Sequence, residues 1–349
     1  MTQLCDRQIV RWSQLLLAGA AMLMVAGCAN SSPEAAGAPT AHITADGSST
    51  VFPLTNAVSA EFQQLHPAVK VSVAASGTGS GFDKFCRGEI DIQSASRPID
   101  ATEKAACDKK NIAFLEVPVA FDALTIIVHP SNHWATSITI AELRKLWAPA
   151  AQGRVMRWSD VRAGWPSEPI HLFGPGTASG TFDFFTEVVT GTTGSSRRDY
   201  NASEDANVIV RGVAADPYCL GYVGYGHFAQ HEPALKAVAV DGQLGAAGQG
   251  PVVPEVDTVR RGLYQPLSRA LFIYVNAKSA EREVLNDFVT FYLAQDEALI
   301  DRVGGIPLSS RAYELIRERV ARRAPGTLFA DRAVLQRNIE MVLAESKQQ

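Results

Sequence analysis

The sequence predicts an α/β fold in two lobes, two mixed sheets flanked by helices, with two hinge strands joining them. Three observations carry this expectation. From residue 42 onward, short apolar strands alternate with helices whose apolar positions repeat every three to four residues. Two runs, residues 124–128 and 271–275, are nearly all apolar and strand-like, and they bracket an inserted α/β segment. Once the N-terminal leader and its tether are set aside, roughly 310 residues remain, enough for two separate cores. The expected division is residues 41–123 with 276–349 as one lobe, and residues 124–275 as the other.

Residues 42–45 read as a strand and Gly47-Ser48-Ser49-Thr50 as a turn. Val51, Leu54, Val58, Phe62 and Leu65 then recur at helical spacing, with Pro53 in the first turn, where its missing N–H does no harm. A strand at 69–74, a Gly/Ser loop at 76–81, a short helix at 82–87 and a strand at 90–94 complete a βαβαβ order, which argues for a mainly parallel sheet. Beyond the apolar run at 124–128 come a helix containing Glu142, Leu143 and Leu146, a strand at 170–173 and the turn 176–181. A helix at 182–189 and a Gly-rich strand at 220–225 follow, and the C-terminal part reads as helices at 281–303, 309–322 and 330–345. No internal repeat is present.

The first residues form a targeting segment. Arg7 and Arg11 precede an apolar run at 15–25, too short for a spanning helix, which needs roughly 20 residues, but suited to a signal peptide. Ala26-Gly27-Cys28 resembles a bacterial lipobox. That resemblance implies cleavage after residue 27, lipidation of Cys28, and anchoring of an exported protein to a bacterial membrane, facing the periplasm or the outside of the cell. More than one acyl chain makes such an anchor stable. Residues 28–40, rich in Ser, Pro, Gly and Ala, read as a flexible tether.

A net charge of −4 without any basic run argues against nucleic acid as a partner. With Cys28 lipidated, Cys86, Cys107 and Cys219 remain in an oxidising compartment. Cys86 and Cys107 can close a loop of about 20 residues, worth roughly 3 kcal/mol in the chain-entropy model. Cys219, in the apolar stretch 218–225, reads as a buried free thiol. Spacing alone does not establish the pairing.

The chemistry concentrates at four junctions. Three are strand-to-helix turns rich in Gly and hydroxyls: Gly47-Ser48-Ser49-Thr50, Ser76-Gly77-Thr78-Gly79-Ser80-Gly81 and Ser179-Gly180-Thr181. A helix N-terminus offers unpaired N–H groups and partial positive charge, glycine lets backbone approach a ligand, and Ser or Thr adds a short neutral donor. Any one such turn is most often an N-cap worth about 1 kcal/mol; their joint occurrence in both expected lobes points to an anion. The fourth junction is Ser96-Arg97-Pro98 at a strand's carboxyl end, where ligands of open α/β sheets sit. The guanidinium of Arg97 is suited to bidentate binding of an oxyanion.

An enzyme fits less well. Neither Ser179 nor Ser80 lies in Gly-x-Ser-x-Gly, and none of the seven histidines has the context of a triad. His129 and His133 enclose Pro130, which opposes a shared helix face, and His227 and His231 lack a His-Glu-x-x-His pattern. No P-loop is present, so the chain is not expected to bind ATP in that way, and neither a cofactor nor a resident metal is expected.

The ordered set Gly47-Ser48-Ser49-Thr50-Val51, Ser76-Gly77-Thr78-Gly79, Ser94-Ala95-Ser96-Arg97-Pro98 and Gly174-Pro175-Gly176-Thr177-Ala178-Ser179-Gly180-Thr181-Phe182 resembles the phosphate-binding proteins of bacterial phosphate ABC transporters. The likeness extends over residues 40–309. It implies a two-lobed periplasmic-binding-protein fold of type II that closes over inorganic phosphate and delivers it to permease subunits. By position, Ser49, Thr50, Ser76, Ser179, Gly180 and Thr181 would donate hydrogen bonds to phosphate, with Thr78 and Gly79 beside them. The chain departs from the better-known branch of that family, which has an aspartate in place of Arg97 and an arginine in place of Pro175. The aspartate accepts the proton that phosphate carries and sulfate lacks, so another acceptor is required here. Asp183 is one candidate; Asp46, Asp122, Glu204 and Asp205 are others. Sulfate, molybdate or arsenate as ligand, and hydrolysis of a phosphoester, are the competing readings.

Overall fold

The computed structural model describes residues 41–243, 250–295, 297–330 and 338–347. The expected leader, Cys28 and the tether lie outside these residues, as does the part of the last expected helix at 331–337. Among the described residues no helix is long and apolar enough to cross a membrane.

The chain opens with β1 (Ala41–Gly47), α1 (Phe52–Leu65), β2 (Val69–Val73), α2 (Thr78–Cys86) and β3 (Ile92–Ala95). It continues through α3 (Ala101–Lys109), β4 (Phe114–Val128), β5 (Ser137–Thr139), α4 (Ile140–Trp147), α5 (Trp158–Val161), β6 (His171–Gly174) and α6 (Gly180–Thr190). Then follow β7 (Asn201–Ala202), α7 (Ala206–Ala214), β8 (Cys219–Gly224), α8 (Tyr225–Ala229), β9 (Lys236–Ala237), β10 (Ala239–Asp241), α9 (Val256–Arg260) and β11 (Ser268–Asn276). The C-terminal part is helical: α10 (Glu283–Tyr292), α11 (Glu297–Arg302), α12 (Ser310–Ala321) and α13 (Ile339–Glu345).

β4 joins two halves of one sheet, ordered β2-β1-β3-β11-β4-β8-β6-β7. β1 pairs in parallel with β2 and β3, so their carboxyl ends share one edge. β4 is buried at every position, as a strand covered on both faces must be, which explains its long apolar run. It pairs antiparallel with β11 from Phe114 to Ala123, then with β8 from Leu124 to Val128. β11 lies wholly in the first half, with β3 on its other side from Phe272 to Val275. The chain therefore returns to the first half just before β11, where the Leu124 N–H donates to the Leu267 carbonyl at 2.8 Å. The Tyr264 hydroxyl donates to the Leu124 carbonyl at 2.7 Å and pins the same point.

Three local expectations need correction. The loop at 76–81 is largely helix, because Gly77, at φ 96°, turns the chain and the Gln93 side-chain amide donates to the Thr78 carbonyl at 2.8 Å. The helix at 281–303 is divided into α10 and α11, and Arg317 caps the first by donating to the Leu293 carbonyl at 3.0 Å. α3 was not anticipated: Asp100 and Glu103 form a capping box that starts it in an otherwise polar segment. Cys86 and Cys107 are bonded and join α2 to α3. Cys219 is free and buried, and burial reinforced by the Asp216 charge pushes its thiol up to about 12.

One buried carboxyl fastens the C-terminal segment. Glu116 on β4 accepts from the Tyr274 hydroxyl at 2.7 Å, the Thr327 hydroxyl at 2.6 Å and the Leu328 N–H at 2.6 Å. Burial raises its pKa, and these donors offset only part of the rise. A carboxyl raised on folding stabilises most below its unfolded value and loses that contribution as pH rises through its folded value. Glu116→Gln keeps the shape and can donate to the two hydroxyls, so its melting temperature should gain on wild type as pH rises above the ordinary carboxyl range. Glu116→Ala should lose about 3 kcal/mol at pH values below the ordinary carboxyl range, because it strands several buried donors, and the deficit should shrink as pH rises. Thermal melts on both sides of that range check both; parallel wild-type and Gln curves would show that Glu116 does not titrate against the fold.

Candidate functional site

Two strand-to-helix turns, one from each half of the sheet, meet face to face. The first leaves β1 at Gly47, which has φ 130° and whose Cβ would fall 2.1 Å from the Ser94 carbonyl oxygen. Only glycine permits that passage. The Ser48 hydroxyl accepts from the Thr50 N–H at 3.2 Å and its carbonyl accepts from the Phe52 N–H at 3.0 Å, which shapes the turn and leads into α1. The second turn leaves β6 through Pro175 and ends at Ser179, whose hydroxyl accepts from the Thr181 N–H at 3.2 Å and caps α6. Glu204 props this turn by accepting from the Ala178 N–H at 3.3 Å.

A Cβ on Gly180 would lie 2.8 Å from both the Ser49 and Thr50 hydroxyl oxygens, so the two turns are within van der Waals reach only because residue 180 has no side chain. The halves touch again where a Cβ on Gly226 would fall 2.5 Å from Gly304 Cα. A cavity of 370 Å³ lies alongside these contacts, lined by Ser49, Thr50, Ser179, Gly180 and Thr181. Its walls also include the acids Asp122, Glu204 and Asp205, with His227. Partial burial lowers the pKa of His227, the neighbouring His231 adds to this, and the Asp205 charge opposes it.

A cation adjoins this site: Arg269 of β11, which the sequence reading did not single out, lies outside the lining but is bonded to two residues within it. Its Nη2 donates to the Thr50 hydroxyl at 3.0 Å and to Asp122 Oδ2 at 3.0 Å, while Nε reaches the same carboxylate oxygen at 3.1 Å. The guanidinium also lies 3.9 Å from the ring centroid of Phe184 on α6, a cation–π contact that links β11 to the second half. Neither member of the Arg269–Asp122 pair is more than 15% exposed.

Of the other sequence-predicted residues, Ser76, Thr78, Gly79 and Arg97 gather near the start of α2, and they and Asp183 lie outside the cavity lining. The Ser76 N–H donates to Asp46 Oδ1 at 2.9 Å. Asp46 also takes the Gly47 N–H at 2.7 Å and the Lys84 ammonium; burial alone would raise its pKa, but these partners outweigh it and hold the carboxyl below its usual range. Asp46 is thus occupied in tying the second junction to the first. The Thr78 hydroxyl is 3.2 Å from the Ser96 hydroxyl. Gly79 is exposed, and the Arg97 guanidinium comes within 4.0 Å of where its Cβ would be. Arg97 makes a bidentate pair with Glu103, at 2.8 and 2.7 Å, and donates to its neighbour's Pro98 carbonyl at 3.1 Å. Glu103 raises its pKa, with the more distant Glu187 of α6 contributing in the same direction. Asp183 is exposed on the first turn of α6; partial desolvation raises its carboxyl pKa and the charge of Arg269 opposes this.

Two helix N-termini with short neutral donors at a shared cavity, and a paired guanidinium next to it, are suited to a small anion. Residues 32–296 match the family model of the PBP superfamily domain. The chain belongs to that superfamily. It is 44% identical over 302 residues to protein SphX of Synechocystis, a match covering 86% of this chain and 88% of that protein. It is 34% identical over 294 residues to the phosphate-binding protein PstS of Staphylococcus saprophyticus, covering 84% of this chain and 88% of that protein. The crystal structure of "a possible phosphate binding protein" from Planctomyces limnophilus superposes with a TM-score of 0.75 at 44% identity, covering 81% of this chain and 98% of that one. Superfamily membership and the mixed α/β sheet with flanking helices agree with the fold class expected from the sequence.

Proposed function

We propose that this protein is a receptor, not an enzyme, that captures inorganic phosphate outside the cytoplasmic membrane and delivers it to the permease of an ABC transporter. The observation that carries this reading is the meeting of the Ser49-Thr50 and Ser179-Gly180-Thr181 turns across one cavity, with Arg269 bonded to Thr50. The names of the similar proteins support phosphate as the anion. In this reading the signal peptide is removed, Cys28 is lipidated, and residues 28–40 tether the receptor to the membrane.

The strand pairing supports lobes of residues 41–123 with 268–347, and of residues 124–267, hinged where β4 changes partner and where the chain enters β11. An anion stabilises the closed state only by contacting both lobes, which the two turns do. Ser49, Thr50, Ser179, Gly180 and Thr181 donate to the phosphate oxygens, and Arg269 supplies the charge. Ser76, Thr78, Gly79 and Arg97 form a rim outside the cavity lining, where Glu103 holds Arg97.

Asp122 serves as the acceptor of the phosphate proton. Both Arg269 bonds fall on its Oδ2, and Oδ1 takes the ligand's O–H; Asp183 stands farther out, on the exposed surface of α6. A buried carboxylate repels an anion that has no proton to share, so sulfate is rejected. Calorimetric titration of the delipidated protein should show stoichiometric phosphate binding and sulfate affinity at least about a thousandfold weaker, some 4 kcal/mol. Comparable affinities would refute the role of Asp122, and failure to bind either anion would refute the receptor reading. Turnover of a phosphate ester would make the protein an enzyme instead.

A further inference from the structure

A second polar cluster lies at the opposite end of the strands that build the cavity. β6 and β8 run in parallel, and His171 is registered opposite Cys219. Each strand begins at this pair and ends at the cavity: β6 leads into the 175–181 turn, and Val223 and Gly224 of β8 line the wall. Asp216 starts the tight turn into β8, with its carbonyl accepting from the Cys219 N–H at 3.1 Å and its Oδ1 accepting from the Tyr218 N–H at 2.9 Å. Its other oxygen, Oδ2, lies 2.5 Å from His171 Nδ1. One ligand atom from each of His171, Asp216 and Cys219 falls within 4.8 Å of the others.

We propose that His171, Asp216 and Cys219 form a binding site for one zinc ion. Imidazole, carboxylate and thiolate make a borderline-soft set that suits zinc and disfavours the hard cations magnesium and calcium, which take oxygen ligands. Zinc holds such atoms at roughly 2.0–2.3 Å, so the ion has to part the His171–Asp216 contact and draw Cys219 Sγ inward, each by about 1 Å. The geometry permits this because His171 is 54% exposed and Asp216 31% exposed, so the imidazole can turn while the Tyr218 N–H keeps Asp216 in place. Cys219 faces inward, packed with Ile209, Val210, Val213 and Val223, which gives the site a dry apolar floor and a polar mouth. Water completes the fourth position. The Tyr218 N–H already orients Asp216 from behind, as outer partners of metal ligands do.

Binding breaks the Cys219 S–H bond, forms a zinc–sulfur bond and releases the proton to solvent. Asp216 disfavours a bare thiolate, but as a co-ligand it shares the cation with the sulfur, so a dication reverses the sense of their interaction. The ion would staple the starts of β6 and β8, holding in register the two strands whose far ends shape the cavity.

The test is titration of chelator-stripped protein with cobalt(II) alone. One equivalent should produce a thiolate-to-cobalt charge-transfer band together with visible bands of four-coordinate intensity, and zinc should displace it. Cys219→Ser should abolish the charge-transfer band, and His171→Ala, at a half-exposed position that the fold does not require, should weaken cobalt affinity at least about tenfold. Asp216→Asn, which keeps the turn, should weaken it similarly. Wild-type protein with no charge-transfer band, or with one that His171→Ala leaves unchanged in both intensity and affinity, overturns the site.

Discussion

Arg269→Ala should reduce phosphate affinity by more than a hundredfold while leaving the protein folded. The guanidinium donates to the Thr50 hydroxyl and to Asp122, both of which line the cavity. Its removal has three consequences at once: the anion loses its charge-assisted partner, Thr50 loses the group that orients its hydroxyl, and Asp122 becomes an unpaired negative charge at an anion site. Losing one charge-assisted hydrogen bond costs about 1.5–3 kcal/mol of binding, and repulsion between the unpaired Asp122 charge and the anion adds about 1–4 kcal/mol, while the cost of breaking the pair itself falls on stability. The middle of those two binding ranges together exceeds 3 kcal/mol, and every 1.4 kcal/mol is about tenfold in affinity. Arg269→Lys should recover only part of the loss, since an ammonium cannot span Thr50 and Asp122 as a planar fork does or stack comparably on Phe184. Arg97→Ala should cost less, because Arg97 is 40% exposed and is bound to Glu103. Calorimetric titration of the three variants, with melting curves to confirm folding, provides the comparison. Wild-type affinity in Arg269→Ala, or a greater loss in Arg97→Ala, would transfer the charge to the rim.

The difference between these two arginines shows what local sequence can and cannot reveal. Arg97 follows an apolar strand and precedes a proline, a context that marks a ligand as well as any local pattern can. Its partner Glu103 is only six residues away, but the pairing depends on α3, whose polar sequence has no apolar periodicity to announce it. Arg269 meets Asp122 because β11 pairs antiparallel with β4 in a register that sets those two residues opposite each other. No short motif encodes a register between segments so far apart. A signal did exist: Arg269 is the lone charge of β11, Asp122 is one of only two charges in the otherwise apolar β4, and a buried charge requires a partner.

The turns were legible for the opposite reason. Gly47-Ser48-Ser49-Thr50 and Ser179-Gly180-Thr181 are short, and their chemistry is decided by backbone geometry within a few residues. β1 and β6 were visible because strand pattern changes to helix pattern across each turn. The central strand was only half visible. Residues 124–128 stand out as an apolar run, whereas 114–123 carry Glu116, Pro118 and Asp122 and do not read as core. Their burial is possible because Glu116 is saturated with donors and Asp122 is paired. Polar residues with specific partners hid a strand that apolar ones would have revealed.

Gly180→Ala should weaken phosphate binding by about tenfold or more while leaving stability unchanged or slightly improved. Gly180 is the first residue of α6, and alanine is the better helix former by up to about 1 kcal/mol. The added methyl, however, lands 2.8 Å from two hydroxyl oxygens, well inside normal carbon–oxygen contact. Ser49 can rotate away at little cost. Thr50 is β-branched and stiff, and Arg269 holds its hydroxyl at 3.0 Å. Either Thr50 releases Arg269 or the two turns separate, and both outcomes remove donors from positions that must converge on one tetrahedral anion. Because the methyl acts only where the halves approach, its effect belongs to closure and not to folding. Small-angle scattering should therefore find Gly180→Ala more open than wild type at saturating phosphate, while its melting temperature without phosphate stays at or above the wild-type value. Wild-type affinity in Gly180→Ala would mean that the two turns do not grip the same ligand, and a fall in both affinity and phosphate-free stability would place the contact in the fold itself.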